Sequence, residues 1–227
     1  MIIDFHTHMF PDRIAESTIH FLADTCQTSP HTNGTYEGLS ASTREAKIDL
    51  SVATKPSQFR SINEFASHYR DGNILSFSGI HPACDDYRSE LHELKEMGFL
   101  GIKLHPDYQD MYFNDIRYKR ILDYASELGL IVVVHAGKDP KCPDHVHCTP
   151  EMIEEVLNEV APEKLVLAHF GGNEMWDEVE QRLMLFATDS PWRGQTEFVK
   201  RMKEISLTEE ERTQIFSKTA QTLLNIL

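Results

Sequence analysis

The chain has 227 residues, 36 acidic against 22 basic, for a formal net charge of −14. That acidity argues against nucleic acid or an anionic membrane as partner, because both are bound by clustered cations; it leaves a small-molecule substrate and is compatible with a homo-oligomer. Four scattered cysteines (Cys26, Cys84, Cys142 and Cys148) lack the paired framework of a small secreted domain, and no run of about 18 apolar residues occurs, so the expectation is one cytoplasmic domain over 1–227.

Taken in chain order, the opening Met-Ile-Ile-Asp-Phe-His6-Thr-His8 predicts a strand over 2–5 that runs straight into two histidines. Side chains alternate along a strand, so His6 and His8 leave it on one side, about 7 Å apart along the backbone. The stretch 23–39, rich in Thr, Ser, Asn and Gly, reads as a long loop. Further apolar runs predict strands at 50–53, 74–80, 101–104, 131–134, 165–168 and 185–188. Helical spacing predicts helices at 87–97, 116–128, 150–160 and 197–205, and one amphipathic helix over 208–227. Thr149-Pro150-Glu151 is a helix start, with a capping hydroxyl, Pro in the first turn and an acid at the positive dipole end.

Short Val-, Ile- and Leu-rich strands alternating with helices predict an α/β fold with a parallel sheet, a TIM-like (β/α)8 barrel. The spacing contains a fault. A βα unit needs roughly 25 to 35 residues, yet only 16 separate Ala168 from Leu185. Seven strands are counted where a closed barrel has eight, and the seventh is the one absent. The expectation is an interruption at 183–184 and a smaller one at 51–52.

In a barrel the reactive groups sit at the C-terminal ends of strands. Those ends carry His6 and His8, then His81, then Lys103 and His105, then His135, His169 and Asp189. A lone strand histidine is more often a hydrogen-bonded structural residue than a ligand. Recurrence at successive strand ends is what favours a metal: imidazoles with one carboxylate suit Zn²⁺, with Mn²⁺, Fe²⁺ or Co²⁺ as alternatives. Cys142-Pro-Asp-His145-Val-His147-Cys148 has zinc-site residue types, but compressed into seven positions; it reads as a covering loop rather than a second metal site. Gly171-Gly172 reads as a tight turn after the sixth strand.

The ordered set Asp4-Phe-His6-Thr-His8, Gly101-Ile-Lys103-Leu-His105-Pro, Val134-His135-Ala-Gly137, Ala168-His169-Phe-Gly-Gly172 and Ala187-Thr-Asp189-Ser-Pro-Trp192 resembles the amidohydrolase superfamily, more closely its amidohydrolase-2 branch. The resemblance runs from Met1 to Leu227. It implies a metal-dependent enzyme with His6, His8, His135 and Asp189 as metal ligands, and His169 as a ligand or an acid–base group. It implies Asp189 and His169 as catalytic residues, Asp189 taking a proton from water. Lys103, His105 and His81 are the expected substrate contacts; in two-metal relatives a fourth-strand lysine is instead carboxylated and bridges both ions.

The leading functional expectation is a hydrolase that turns a metal-activated water on a small-molecule amide, ester or lactone. The alternative is non-oxidative decarboxylation of an aromatic or enoic acid on the same ligands. A carboxylate-clamping arginine would favour the second, and Arg193 is the candidate. A phosphoesterase opening with His-x-His fits less well, because Asp189 is followed by Ser190-Pro191 where that family closes with Asp-x-His.

Overall fold

Strands and helices alternate along the chain, and each strand named below pairs in parallel with a neighbour. The structure is a computed structural model that describes residues 1–69, 72–175 and 185–225, without the Phe170 side chain. Two compact units are present: Met1–Leu50 with His68–Ser76 and Arg182–Leu227, and Ser51–Ser67 with Phe77–Gln181. No helix among the described residues is long and apolar enough to cross a membrane.

In the first unit, β1 (Ile3–Thr7) is buried at all five positions. It runs parallel to β2 (Ala46–Leu50), with Ile3 opposite Ala46, Asp4 opposite Lys47, and an irregularity before Thr7 meets Asp49. The segment 185–190 lies along β1. Phe5 N–H donates to Phe186 O at 2.9 Å, His8 N–H donates to Ser190 O at 2.7 Å, and Thr7 and Ser190 form a parallel bridge. The predicted strand at 185–188 is therefore a neighbour of β1. The expected interruption at 183–184 lies outside the described residues.

The stretch predicted as a loop over 23–39 is corrected at both ends. Helix α1 (Asp12–Cys26) takes its first part and α2 (Tyr36–Ser42), capped by Thr35, its last. Helix α1 buries only Ala15 and Ile19, so its sequence shows almost no apolar stripe. The predicted strand at 50–53 is also corrected, since β2 lies a few residues earlier. Lys47 and Asp49 interrupt its apolar pattern, yet both are buried. The Lys47 ammonium donates to the carbonyls of Thr43 at 2.7 Å and Glu45 at 3.1 Å, which makes its burial tolerable.

The C-terminal helix divides into α8 (Glu209–Thr213), a π turn over Gln214–Lys218 and α9 (Thr219–Leu224). Ile215 and Phe216 of the π turn form a small core with Phe186, against which Phe198, Val199 and Met202 of α7 (Gln195–Glu204) pack.

In the second unit the Phe77–Gly79 end of β3 (Ile74–Gly79), β4 (Gly101–Leu104), β5 (Ile131–Val134) and β6 (Leu165–Leu167) pair in that order. Lys103 sits opposite Gly79 on one side and Val133 on the other. Ile102, Leu104, Val132 and Val134 belong to the core formed with α4 (Tyr87–Glu96) and α5 (Ile116–Glu127). By period-two alternation, Lys103 and Val133 lie on the opposite face, in line with His105 and His135 one step beyond the strand ends. Helix α3 (Phe59–His68) precedes β3, and α6 (Pro150–Glu159) begins as expected, with Thr149 accepting from Met152 N–H at 3.3 Å.

Candidate metal centre

In the first unit the end of β1 brings His6 and His8 together with Asp189. The Nε2 atoms of the two histidines lie 3.0 Å apart, and Asp189 Oδ1 is 3.3 Å from the first and 3.4 Å from the second. The tautomer of His8 is set by its other nitrogen: Nδ1 lies 2.8 Å from the Leu50 carbonyl, which can only accept, so the neutral ring turns an Nε2 lone pair inward. A divalent ion bound by imidazole or carboxylate at about 2.1 Å sets neighbouring donors about 3.0 to 3.4 Å apart. The spacing and chemistry of these three donors fit such an ion.

Asp189 is presented by local strain. Its φ of 56° is left-handed, a conformation uncommon for residues other than Gly and concentrated at functional positions. The segment before it is latched to β1 through Asp4. Thr188 N–H donates to Asp4 Oδ1 at 2.9 Å, the Thr188 hydroxyl to Oδ2 at 2.5 Å, and the Gln195 amide to Oδ2 at 3.0 Å. Burial pushes the Asp4 carboxyl up to about 6 in spite of these bonds. Asp49 is likewise pushed up to about 6 by burial, against the nearby His8 and the N–H of Met9, which donates to it at 3.0 Å.

In the second unit the expected residues gather around β4 and β5. The His105 ring stacks on Tyr108 at 3.8 Å between centroids and on His135 at 4.1 Å. Nε2 of His169 lies 3.1 Å from Nδ1 of His135. His169, like Asp189, has a left-handed backbone, with φ of 54°. It sits in the 3-10 turn Ala168–Gly171 that follows β6. Gly137 also needs its residue type: at φ of 86°, an added Cβ would lie 1.9 Å from the backbone nitrogen of Asn173. Lys103 is fully buried. His81 is buried after β3, its Nδ1 accepts from Ala83 N–H at 3.1 Å, and burial, then the charge of Arg117, lowers its pKa. Of the expected ligands, then, His6, His8 and Asp189 meet in one unit, and His135 and His169 meet in the other.

Three polar residues of the second unit escaped the sequence reading. Asp139 places Oδ2 3.7 Å from His105 Nε2 and 3.8 Å from His135 Nε2. Asp107 accepts from Nδ1 of His147 at 2.9 Å, so the 142–148 loop docks through His147 onto the segment after β4. Gln109 accepts from His105 N–H at 3.0 Å and the Tyr118 hydroxyl at 2.9 Å, and donates to the carbonyls of Ala53 and Ile80. The available signal was position: each acid lies two or four residues beyond a strand-end histidine.

The sequence matches the amidohydrolase family over residues 3–183. No curated protein matches the chain. Among solved structures it is similar to a dihydroxybenzoic acid decarboxylase from Polaromonas with bound manganese and 2-nitroresorcinol, at 14% identity and a TM-score of 0.70, covering 99% of this chain and 97% of that one. It is also similar to 5-carboxyvanillate decarboxylase from Sphingomonas paucimobilis, at 10% identity and a TM-score of 0.67, covering 100% and 99%. A third likeness is to an Acinetobacter baumannii protein described as a probable 2-pyrone-4,6-dicarboxylic acid hydrolase with citric acid bound. There the identity is 14%, the TM-score 0.64 and the coverage 99% of both chains. At such identities the likeness shows the fold, the α/β barrel class expected from the alternating elements.

Proposed function

The chain belongs to the amidohydrolase family of enzymes, and on that premise we propose that it is a metal-dependent hydrolase of a small-molecule amide, ester or lactone. His6, His8 and Asp189 hold the ion. Two imidazoles and one carboxylate favour Zn²⁺, with Mn²⁺, Fe²⁺ or Co²⁺ as substitutes. A divalent ion there supplies Lewis-acid polarisation and lowers the pKa of a water to about 7.

The observation that carries this reading is the open side of the donor set. The Asp189 side chain is 34% exposed and that of His8 16%, whereas His6 is 7%. Water can therefore approach Asp189, and its carboxylate is the group we assign to take the proton from that water. The buried Asp4 latch and the left-handed backbone hold this carboxylate in place before substrate arrives, so little reorganisation is needed on reaction. His169 is assigned proton donation to the leaving group by the family resemblance. Lys103 is assigned a substrate carboxylate on the same ground, consistent with burial of a cation on the face of β4 that points away from α4 and α5. A net charge of −14 disfavours a polyanionic substrate, and a small-molecule substrate fits those of the structural relatives.

Decarboxylation is the competing reading, supported by the activities of two structural relatives. An arginine clamping the substrate carboxylate would favour it. Arg193 is exposed and its Nη1 is 3.4 Å from the Trp192 carbonyl, which favours hydrolysis. Incubating the metal-loaded chain with panels of lactones, amides and aromatic acids separates the two. Hydrolysis predicts proton release from lactones without CO₂, and CO₂ release from aromatic acids alone would overturn it.

A further inference from the structure

We propose that His81 binds an acceptor oxygen of the substrate through Nε2–H, as a neutral hydrogen-bond donor fixed in advance. The identity of that oxygen rests on the hydrolase reading: it is the carbonyl oxygen beside the bond to be broken.

One contact sets the tautomer of the ring. Ala83 N–H, which can only donate, lies 3.1 Å from His81 Nδ1. Nδ1 therefore turns its lone pair to that N–H, and the neutral ring carries its proton on Nε2. Protonation of Nδ1 would set two donors face to face, so the same contact keeps the ring neutral. Burial and the charge of Arg117 act in the same direction. Among the described residues no hydrogen bond is made at Nε2.

The strand pattern gives the face. Gly79 of β3 sits opposite Lys103 of β4, and Ile80 joins Ile102 and Leu104 in the core. Alternation puts Gly79 and His81 on the other face, that of Lys103 and His105. His81 thus lies just beyond the C-terminal end of β3, where a barrel carries its reactive groups.

The backbone that carries the ring is held by buried amides. Asn63 donates to the Gly79 carbonyl at 2.9 Å and accepts from Gly79 N–H at 2.8 Å. Gln109 donates to the Ile80 carbonyl at 2.8 Å, and the His81 carbonyl accepts from Cys84 N–H at 3.0 Å. Both Asn63 and Gln109 are buried. A donor held in this way needs no reorganisation as negative charge grows on the oxygen it meets. Because the ring is neutral it donates a hydrogen bond only, and proton transfer stays with Asp189 and His169.

Two substitutions separate donation from structure. His81→Asn retains an oxygen that can accept from Ala83 N–H but has no donor at the Nε2 position. His81→Gln places an amide N–H near that position. Both are assayed as the Zn²⁺-loaded full chain on the lactone or amide of the panel that the parent turns over fastest. In His81→Asn, kcat should fall about 10²- to 10³-fold, with KM changed by less than about threefold. His81→Gln should recover part of the loss, with circular dichroism confirming that each variant is folded. A structural His81 predicts the opposite order, with His81→Asn close to the parent and His81→Gln worse, and that result would overturn the proposal. Histidine nitrogen NMR of the chelator-stripped chain should show the Nε2–H tautomer at His81. An Nδ1–H tautomer would overturn the proposal and leave the hydrolase reading standing. If no lactone or amide is turned over, the hydrolase reading falls and benzoate becomes the probe. A shift of the His81 Nε2 signal on titration with benzoate then supports the donor role, and an unmoved signal overturns it. The same titration of the parent decides if His81→Asn does not fold.

Discussion

The Nε2 atoms of His6 and His8 stand 3.0 Å apart while Nδ1 of His8 is tied to the Leu50 carbonyl at 2.8 Å. The second contact explains the first. A ring that donates outward through Nδ1 turns a lone pair inward, and Asp189 Oδ1 completes a triangle of donors around one point.

Asp189→Asn keeps the shape of the side chain and removes its charge. Loss of the proton acceptor should lower kcat by about 10²-fold or more, and Zn²⁺ affinity should fall with it. Steady-state kinetics on the substrate found by screening, with calorimetry on the same samples, checks both. Full activity in the variant would exclude Asp189 from either role.

Asp4→Ala should destabilise the chain by about 2–4 kcal/mol, because it strands the buried donors of Thr188 and Gln195. Urea denaturation measures this. Asp4→Asn, which retains one acceptor oxygen, should lose less than the alanine variant. A loss below about 0.5 kcal/mol in Asp4→Ala, the scale of an ordinary surface substitution, would show that the latch carries no weight.

Gln109 satisfies four polar groups with one amide, on the loop after β4, on Ala53, on Ile80 and on Tyr118. Gln109→Ala should cost about 2–4 kcal/mol in the same assay. Gln109→Glu sets a carboxylate oxygen against the buried carbonyls of Ala53 and Ile80, so it should cost at least as much as the alanine variant.

The Cys84 thiol is pushed up to about 12 by burial first and then by the negative charge of Glu90. Its alkylation by iodoacetamide should therefore keep rising with pH beyond 10, where an ordinary thiol has levelled off. Glu90→Gln should move the curve to lower pH. The linkage has a definite sign: the folded chain keeps this proton while the unfolded chain loses it near 9, so stability falls as pH rises from about 9 to about 12. An alkylation curve that levels off near pH 9 would contradict the burial argument.

Much of the second unit was legible in the sequence. The runs Gly101–Leu104 and Ile131–Val134 are apolar throughout, or nearly so, and the strands have those bounds. Helix α6 announced itself through Thr149 and Pro150. The first unit was harder to read. Helix α1 buries too few side chains to show a stripe, and β2 carries Lys47 and Asp49 into the interior, where backbone carbonyls accept from the Lys47 ammonium and Met9 N–H donates to one oxygen of Asp49. At the candidate site the histidines were visible because each ends an apolar strand. Asp107 and Asp139 sit in irregular segments with no period to mark them, and only coordinates bring them beside His105 and His135.

A metal centre at His6, His8 and Asp189 is open to direct test. The most direct measurement is the number of Zn²⁺ ions bound per chain, and their affinity, in the parent and in the variant with all three residues changed to alanine. The triple variant should fold, as judged by circular dichroism, and bind one Zn²⁺ fewer. A triple variant that binds as many ions as the parent, with equal affinity, would contradict it.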